Sequence, residues 1–182
     1  MADVNRKTSP QELAVLVSQA LENAQIRATL SGGGAVALYS DNEYESCDLD
    51  FVTNARNDVI EQAIAPLGFH RVPGARQFEH PETDYYVEFP PGPLAFGDTV
   101  VADEDATILH TEFGPLRIVT PTQIIMDRIA AYVHWRDNQS FDQAVMVARR
   151  QSVDWTTLYE WAERDGVDRR VVDKVRRRAG HS

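Results

Sequence analysis

The sequence predicts an α+β fold, a mixed β-sheet followed by a run of helices, and three observations predict it. Short apolar runs read as strands up to about residue 120, and the remainder reads as helices. Residues 84–89 (DYYVEF), rich in strand-favouring aromatics, stop at Pro90-Pro91-Gly92-Pro93, where sheet pairing cannot continue. Thr120-Pro121-Thr122-Gln123 then supplies a capping threonine, a proline at the first helical position and a glutamine three residues after the cap. Strands followed by helices, rather than alternating with them, favour α+β over a doubly wound sheet. The expected division is a sheet core with an N-terminal helix over 1–120 and a helical segment over 121–182 packed on it.

The elements follow in order. Ser9-Pro10-Gln11-Glu12 carries the same cap and proline logic and starts a helix running to about Asn23. Residues 26–30 read as a strand, 33–39 as a short helix leaving a glycine turn, and 48–53 as the next strand. Over 57–67, Val59, Ile60, Ala63 and Ile64 share one helical face and Gly68 is a stop signal. Residues 69–72 and 76–79 suit a hairpin around Pro73-Gly74, and Asp84, Tyr86 and Glu88 share one face of the strand that follows. Residues 92–105 read as a loop, and 107–111 and 116–119 as strands joined at Gly114-Pro115. Four helices then start near Pro121, Ser140, Trp155 and Arg169.

Composition narrows the function. With 43% hydrophobic and 25% charged residues the chain is an ordinary globular one, and no segment reaches the ~20 apolar residues that span a bilayer. No membrane partner is expected, and the N-terminus lacks the apolar stretch of a secretory signal, so a cytoplasmic location is expected. The single cysteine, Cys47, cannot form an internal disulfide and reads as a packing residue. A net charge of −10 argues against an extensive nucleic-acid surface; Arg176-Arg177-Arg178, with Arg169, Arg170 and Lys174, reads as a solvated last helix. The five histidines lack zinc-site spacing and read as surface or loop residues. Tyr132, Trp135, Trp155, Tyr159 and Trp161 read as contacts between packed helices rather than a base-stacking platform.

The chemistry concentrates in residues 31–52, SGGGAVALYSDNEYESCDLDFV. Successive strand side chains alternate between faces, so Asp48 and Asp50 project together while Leu49 turns away. Two carboxylates aimed at one point repel unless a cation lies between them, and a hard oxygen site suits Mg²⁺. A glycine turn at a helix start can hold phosphate on backbone N–H groups. Metal with phosphate suggests a nucleoside triphosphate (NTP). Gly32-x-Gly34-x-x-Ala37 also satisfies a dinucleotide-binding fingerprint. In that motif an acid about 20 residues on ends the second strand, whereas Asp48 and Asp50 open theirs.

A Gly-Gly turn, a short helix, Asp-x-Asp on a strand and a third carboxylate on a later strand resemble the nucleotidyltransferase superfamily with the DNA polymerase β-like core. The resemblance covers about residues 24–137 and is nearest to small bacterial members, including those of abortive-infection and toxin–antitoxin pairs. It implies a nucleotidyltransferase-like mixed sheet with flanking helices, two Mg²⁺ ions, and transfer of a nucleoside monophosphate (NMP) from an NTP to a hydroxyl acceptor. That acceptor is an RNA end, a protein side chain or a small molecule. Residue by residue, Gly32 and Gly33 match the triphosphate turn, Asp48 and Asp50 the metal pair, and Glu88 or Asp84 the third acid, with Glu88 preferred. Ser31 precedes the turn, whereas the family commonly has serine after the first glycine; Tyr44 and Ser46 stand where many relatives carry a basic residue.

Arg128 lies within the helical stripe Ile125, Ile129 and Tyr132, where a cation needs a partner. It either contacts the nucleotide, as the basic residue that family members often carry in this helix implies, or pairs with Asp137 or Asp142, or reaches solvent. The alternative to the enzyme is a noncatalytic binding module with the same core and a protein partner.

Overall fold

The computed structural model describes residues 4–102 and 105–181. Helix α1 (Pro10–Asn23) starts at the expected cap, with Ser9 Oγ accepting the Glu12 N–H at 3.1 Å. It ends in a reversal: Gln25 has a φ of 59° and the Ile26 N–H still donates to Leu21 O at 2.9 Å. The first strand, β1 (Thr29–Ser31), therefore begins later than the expected residue 26. Helix α2 (Gly32–Tyr39) leaves it directly, and β2 (Asp48–Val52) follows. Helix α3 (Asn57–Ile64) tightens into a 3₁₀ turn (Ala65–Leu67) at Pro66, which has no N–H to continue the α ladder, and Gly68 closes it with a φ of 92°.

Strands β3 (His70–Arg71) and β4 (Gln77–Glu79) form the expected hairpin, and β5 (Tyr86–Glu88) is ended by the proline run. The expected loop over 92–105 instead contains a small hairpin, β6 (Ala95–Phe96) and β7 (Thr99–Val100); Asp103 and Glu104 lie outside the described residues. Gly97 makes that turn with a φ of 62°. The buried Asp165 carboxylate accepts the Asp98 N–H at 2.9 Å and the Thr99 hydroxyl at 2.5 Å, and Phe96 is buried with its carbonyl receiving Trp161 Nε1–H at 3.2 Å. These long-range anchors hold a segment with little intrinsic strand signal. Strands β8 (Thr107–Thr111) and β9 (Gly114–Ile118) complete the β structure among the described residues.

Seven strands form one mixed sheet in the order β3-β4-β5-β2-β1-β9-β8. Its centre mixes directions: β2 is antiparallel to β1 and parallel to β5, while β1 is parallel to β9. Leu49, Phe51, Phe78 and Val87 are fully buried on one face, which leaves Asp48, Asp50 and Glu88 half-buried on the other.

Helices α4 (Pro121–Trp135), α5 (Asn138–Arg150), α6 (Trp155–Arg164) and α7 (Arg169–Arg178) form the C-terminal part. Both halves of the Thr120–Gln123 capping box are present. Helix α2 joins this bundle to the sheet, packing on β1 and β2 and also on α4 and α5. The Tyr39 hydroxyl donates to Val119 O at 2.7 Å, and its burial raises its pKa. One hydrophobic core runs from α1 to α7. Among the described residues no helix is long and apolar enough to cross a membrane.

Two expectations about side chains are corrected. Cys47 is exposed, because it precedes β2 rather than lying in it. Trp161 is buried among the helices, but Trp135, in the last turn of α4, is 82% exposed. Several cations of α7 are engaged locally: Arg169 stacks on Tyr159 and Arg176 on Trp155, while Arg170 pairs with Asp168 and Arg178 with Asp142.

Candidate active site

The site is built where β1 hands over to α2. Ser31 is opposite Asp50 in the β1–β2 ladder, and Asp50 is opposite Glu88 in the β2–β5 ladder. One residue of β2 is thus flanked on both sides by expected site residues. Gly32 turns the chain with a φ of 61°, and a Cβ there would sit 2.2 Å from Asp50 Oδ2. The backbone consequently passes against the carboxylate, an approach that only glycine permits. Gly34 lets α2 close on β2, since a Cβ would meet Leu49 Cδ2 at 3.0 Å.

Helix α2 has no side-chain cap: Ser31 makes none, in contrast to Ser9, Thr120, Asp137, Asp154 and Asp168 at the starts of α1, α4, α5, α6 and α7. Its first N–H groups keep their capacity to bind an anion.

Asp50, Asp48 and Glu88 crowd negative charge. The Asp50 pKa is pushed up to about 7, first by burial, then by Asp48 and Glu88; Arg128 opposes this and Asp127 adds to it. The Tyr86 hydroxyl, on the same face and opposite Asp48, is also raised, by burial and by these carboxylates. Asp84 lies outside the ladder and is exposed, so the structure brings Glu88 rather than Asp84 beside the pair.

A cavity of about 310 Å³ opens at this point, and Ser31, Gly32, Asp50, Asp127 and Arg128 line it. Asp48 and Glu88 flank Asp50 in the sheet without lining that space. Gly33 faces Ser46 and Tyr44 instead. The Ser46 hydroxyl donates to Asp48 Oδ1. Among the described residues no group of three or more Asp, Glu, His or Cys side chains is gathered closely enough to hold a metal ion. The donor chemistry nonetheless fits a hard divalent cation: acid oxygens, one of them raised to about 7 by burial and then by its acidic neighbours.

Arg128 pairs with neither Asp137 nor Asp142. Its Nε donates to Asp127 Oδ2 at 2.9 Å, its Nη2 donates to the same oxygen, and its Nη1 reaches Gln143 Oε1 at 3.2 Å. Asp137 is instead the cap of α5 and Asp142 is bound by Arg178. Asp127 is the site residue that sequence reasoning missed; its signal was an acid next to the one cation in a packed helical stripe.

This arrangement, a glycine turn into an uncapped helix beside three acids on adjacent parallel strands, sits in a fold shared with solved nucleotidyltransferases. No family model matches the sequence, and no curated protein matches it. Solved structures align over most of the chain, three of them as follows. A nucleotidyltransferase-like antigenic protein from Paracoccidioides brasiliensis is 16% identical, with a TM-score of 0.59 over 96% of this chain and 94% of its own. ANT(2″)-Ia, solved in complex with adenylyl-2″-tobramycin, is 14% identical, with a TM-score of 0.54 over 93% of this chain and 99% of its own. The lincosamide antibiotic adenylyltransferase LnuA, solved with lincomycin bound, is 13% identical, with a TM-score of 0.52 over 79% of this chain and 98% of its own. The chain has the nucleotidyltransferase fold, an α+β architecture with a mixed sheet.

Proposed function

We infer that this protein is a Mg²⁺-dependent nucleotidyltransferase that transfers an NMP from an NTP to a hydroxyl acceptor. The observation that carries the reading is the register of three strands, which sets Ser31 and Glu88 on either side of Asp50 at the mouth of the Gly32 turn. Asp48, Asp50 and Glu88 are the residues that would hold the metal, with Asp48 turning from its Ser46 hydrogen bond. Bound there, Mg²⁺ would activate the acceptor oxygen and neutralise the leaving pyrophosphate.

The chain's own groups do the rest. The free N–H groups at the start of α2 bind the triphosphate, and Arg128 offers its charge to the same cavity. As the acceptor oxygen bonds to the α-phosphorus, the bond to the bridging oxygen breaks and pyrophosphate leaves. The acceptor's proton passes to a carboxylate, for which Glu88, opposite Asp50 in the sheet, is the candidate.

A second reading, a noncatalytic module of this fold acting through a protein partner, draws on the engagement of Arg128 by Asp127 and of Asp48 by Ser46. Calorimetric titration with each of the four NTPs, with and without Mg²⁺, separates the two. The enzyme reading expects Mg²⁺-dependent binding that is lost in Asp48→Asn with the fold retained. Absence of binding by any NTP overturns it and favours the module.

A further inference from the structure

The strand that carries Glu88 also carries Tyr86. The two alternate around the buried Val87, so the half-buried Tyr86 ring rises from the same face as Glu88, and the parallel register sets it opposite Asp48. Adjacent strands lie about 4.8 Å apart, which leaves a single strand spacing between the ring and the Asp48 carboxylate. Asp48, Glu88 and Asp50 all act on its hydroxyl, which therefore stands within the field of the three acids. Among the described residues nothing hydrogen-bonds to that hydroxyl, whereas those of Tyr39 and Tyr159 are bound to Val119 O and Asp173 Oδ1.

Its side of the site is the side from which an acceptor must come. Displacement at phosphorus places the attacking and leaving oxygens in line, on opposite sides of the reacting atom. The sheet runs β5-β2-β1 here: the Gly32 turn and the start of α2 lie on the β1 side of Asp50, and Tyr86 and Glu88 lie on the β5 side. A triphosphate held on the first N–H groups of α2 would direct its pyrophosphate toward β1 and leave the α-phosphorus open to attack from β5. Two other hydroxyl-bearing side chains near the acids fail this requirement. Ser46 donates to Asp48 Oδ1 but is buried and faces Gly33, and Tyr44 faces Gly33 as well, so both stand on the leaving-group side.

We propose that Tyr86 is itself a nucleotidyl acceptor, and that the chain transfers an NMP from an NTP to its own Tyr86 hydroxyl. The proposal rests on the nucleotidyltransferase reading and names an acceptor for it. The bond from Tyr86 Oη to the α-phosphorus forms as the bond from that phosphorus to the bridging oxygen breaks. Pyrophosphate leaves with the electron pair, and the phenolic proton passes to Glu88, the next carboxylate on the same strand face. The product is a tyrosyl phosphodiester whose nucleoside fills the β5 side of the acids, so the reaction stops after a single transfer per chain.

The test is incubation of the full chain with Mg²⁺ and each of the four NTPs, followed by intact-mass measurement and peptide mapping. The expected result is a gain of a single NMP per chain from at least one NTP, mapped to Tyr86, with an equal amount of pyrophosphate released and a rate per chain that does not change on dilution. Tyr86→Phe keeps the ring and removes the acceptor oxygen; it is expected to lose the mass gain while keeping wild-type thermal unfolding and Mg²⁺–NTP binding. NTP binding without a mass gain, a gain mapped to another residue, or a gain retained in Tyr86→Phe overturns the self-acceptor and leaves the transferase reading standing. A rate per chain that rises with protein concentration overturns transfer within the chain. Absence of binding by any NTP overturns the transferase reading, and the proposal with it.

Discussion

Asp50 is directly opposite Glu88 in the parallel pairing of β2 with β5, and the two half-buried carboxylates share one face of the sheet, neither of them in a salt bridge among the described residues. Arg128, the cation that acts on Asp50, is itself tied to Asp127. The site therefore carries an uncompensated negative charge, and its consequences are measurable.

Removing one charge should stabilise the metal-free protein. An unfolded Asp50 ionises near 3.8, whereas the folded one ionises near 7, so between these values the folded state holds a proton that the unfolded state has released. Its contribution to stability is favourable on the acid side and falls as pH rises across that window. Asp50→Asn has no such titration and is expected to unfold at higher temperature than wild type at pH 8, with the gap closing below about pH 5. Thermal unfolding in EDTA from pH 5 to 8 checks it; an unchanged gap across that range would contradict a raised Asp50 pKa.

Gly32→Ala is expected to lose stability and anion binding together. The new methyl would meet Asp50 Oδ2 at 2.2 Å in a left-handed backbone, which costs a non-glycine residue about 1–2 kcal/mol before any clash. Gly74, also left-handed but with open space around a Cβ, is the control: Gly74→Ala should show the backbone cost alone. Urea unfolding of both variants gives the difference, and equal losses would mean that the carboxylate moves aside freely.

Much of this architecture was legible because its signals are local. Side-chain caps, proline positions and the Gly68 stop fix helices α1, α3 and α4 within the chain's own neighbourhood, and the Asp48–Asp50 alternation sets their common face. What escaped depends on distant contacts. The β6–β7 hairpin exists because Asp165 and Trp161, more than sixty residues later, bind its backbone. Asp127 is unremarkable in a helix until the fold sets it against the cavity beside Arg128. Trp135 fits a packed stripe by spacing, but it is the last residue of α4 and is exposed.

Asp165→Ala should accordingly loosen one wall of the site without unfolding the core. The substitution leaves the Asp98 N–H and the Thr99 hydroxyl without their acceptor, a loss of about 1–3 kcal/mol for groups tied to a buried carboxylate. Hydrogen exchange is expected to accelerate over residues 95–100 while β1, β2 and β5 keep wild-type protection. Uniform acceleration across the sheet would show that the hairpin is integral to global stability instead.

Arg128 offers the sharpest separation of a functional from a structural cation. Its charge lowers the Asp50 pKa against the combined push of burial, Asp48 and Glu88. Replacing it with a neutral side chain removes that opposition, so the Asp50 titration in Arg128→Gln must move upward from about 7, and Mg²⁺ binding, which needs the ionised carboxylate, must shift to higher pH. Asp127→Asn removes a repelling charge and must move it the other way. A purely structural pair would lower stability in both variants and shift neither midpoint. The readout is the pH dependence of Mg²⁺ affinity by calorimetry, compared among wild type and the two single variants. Opposite shifts establish that the pair tunes the carboxylate, whereas parallel shifts would assign the effect to a rearrangement of α4.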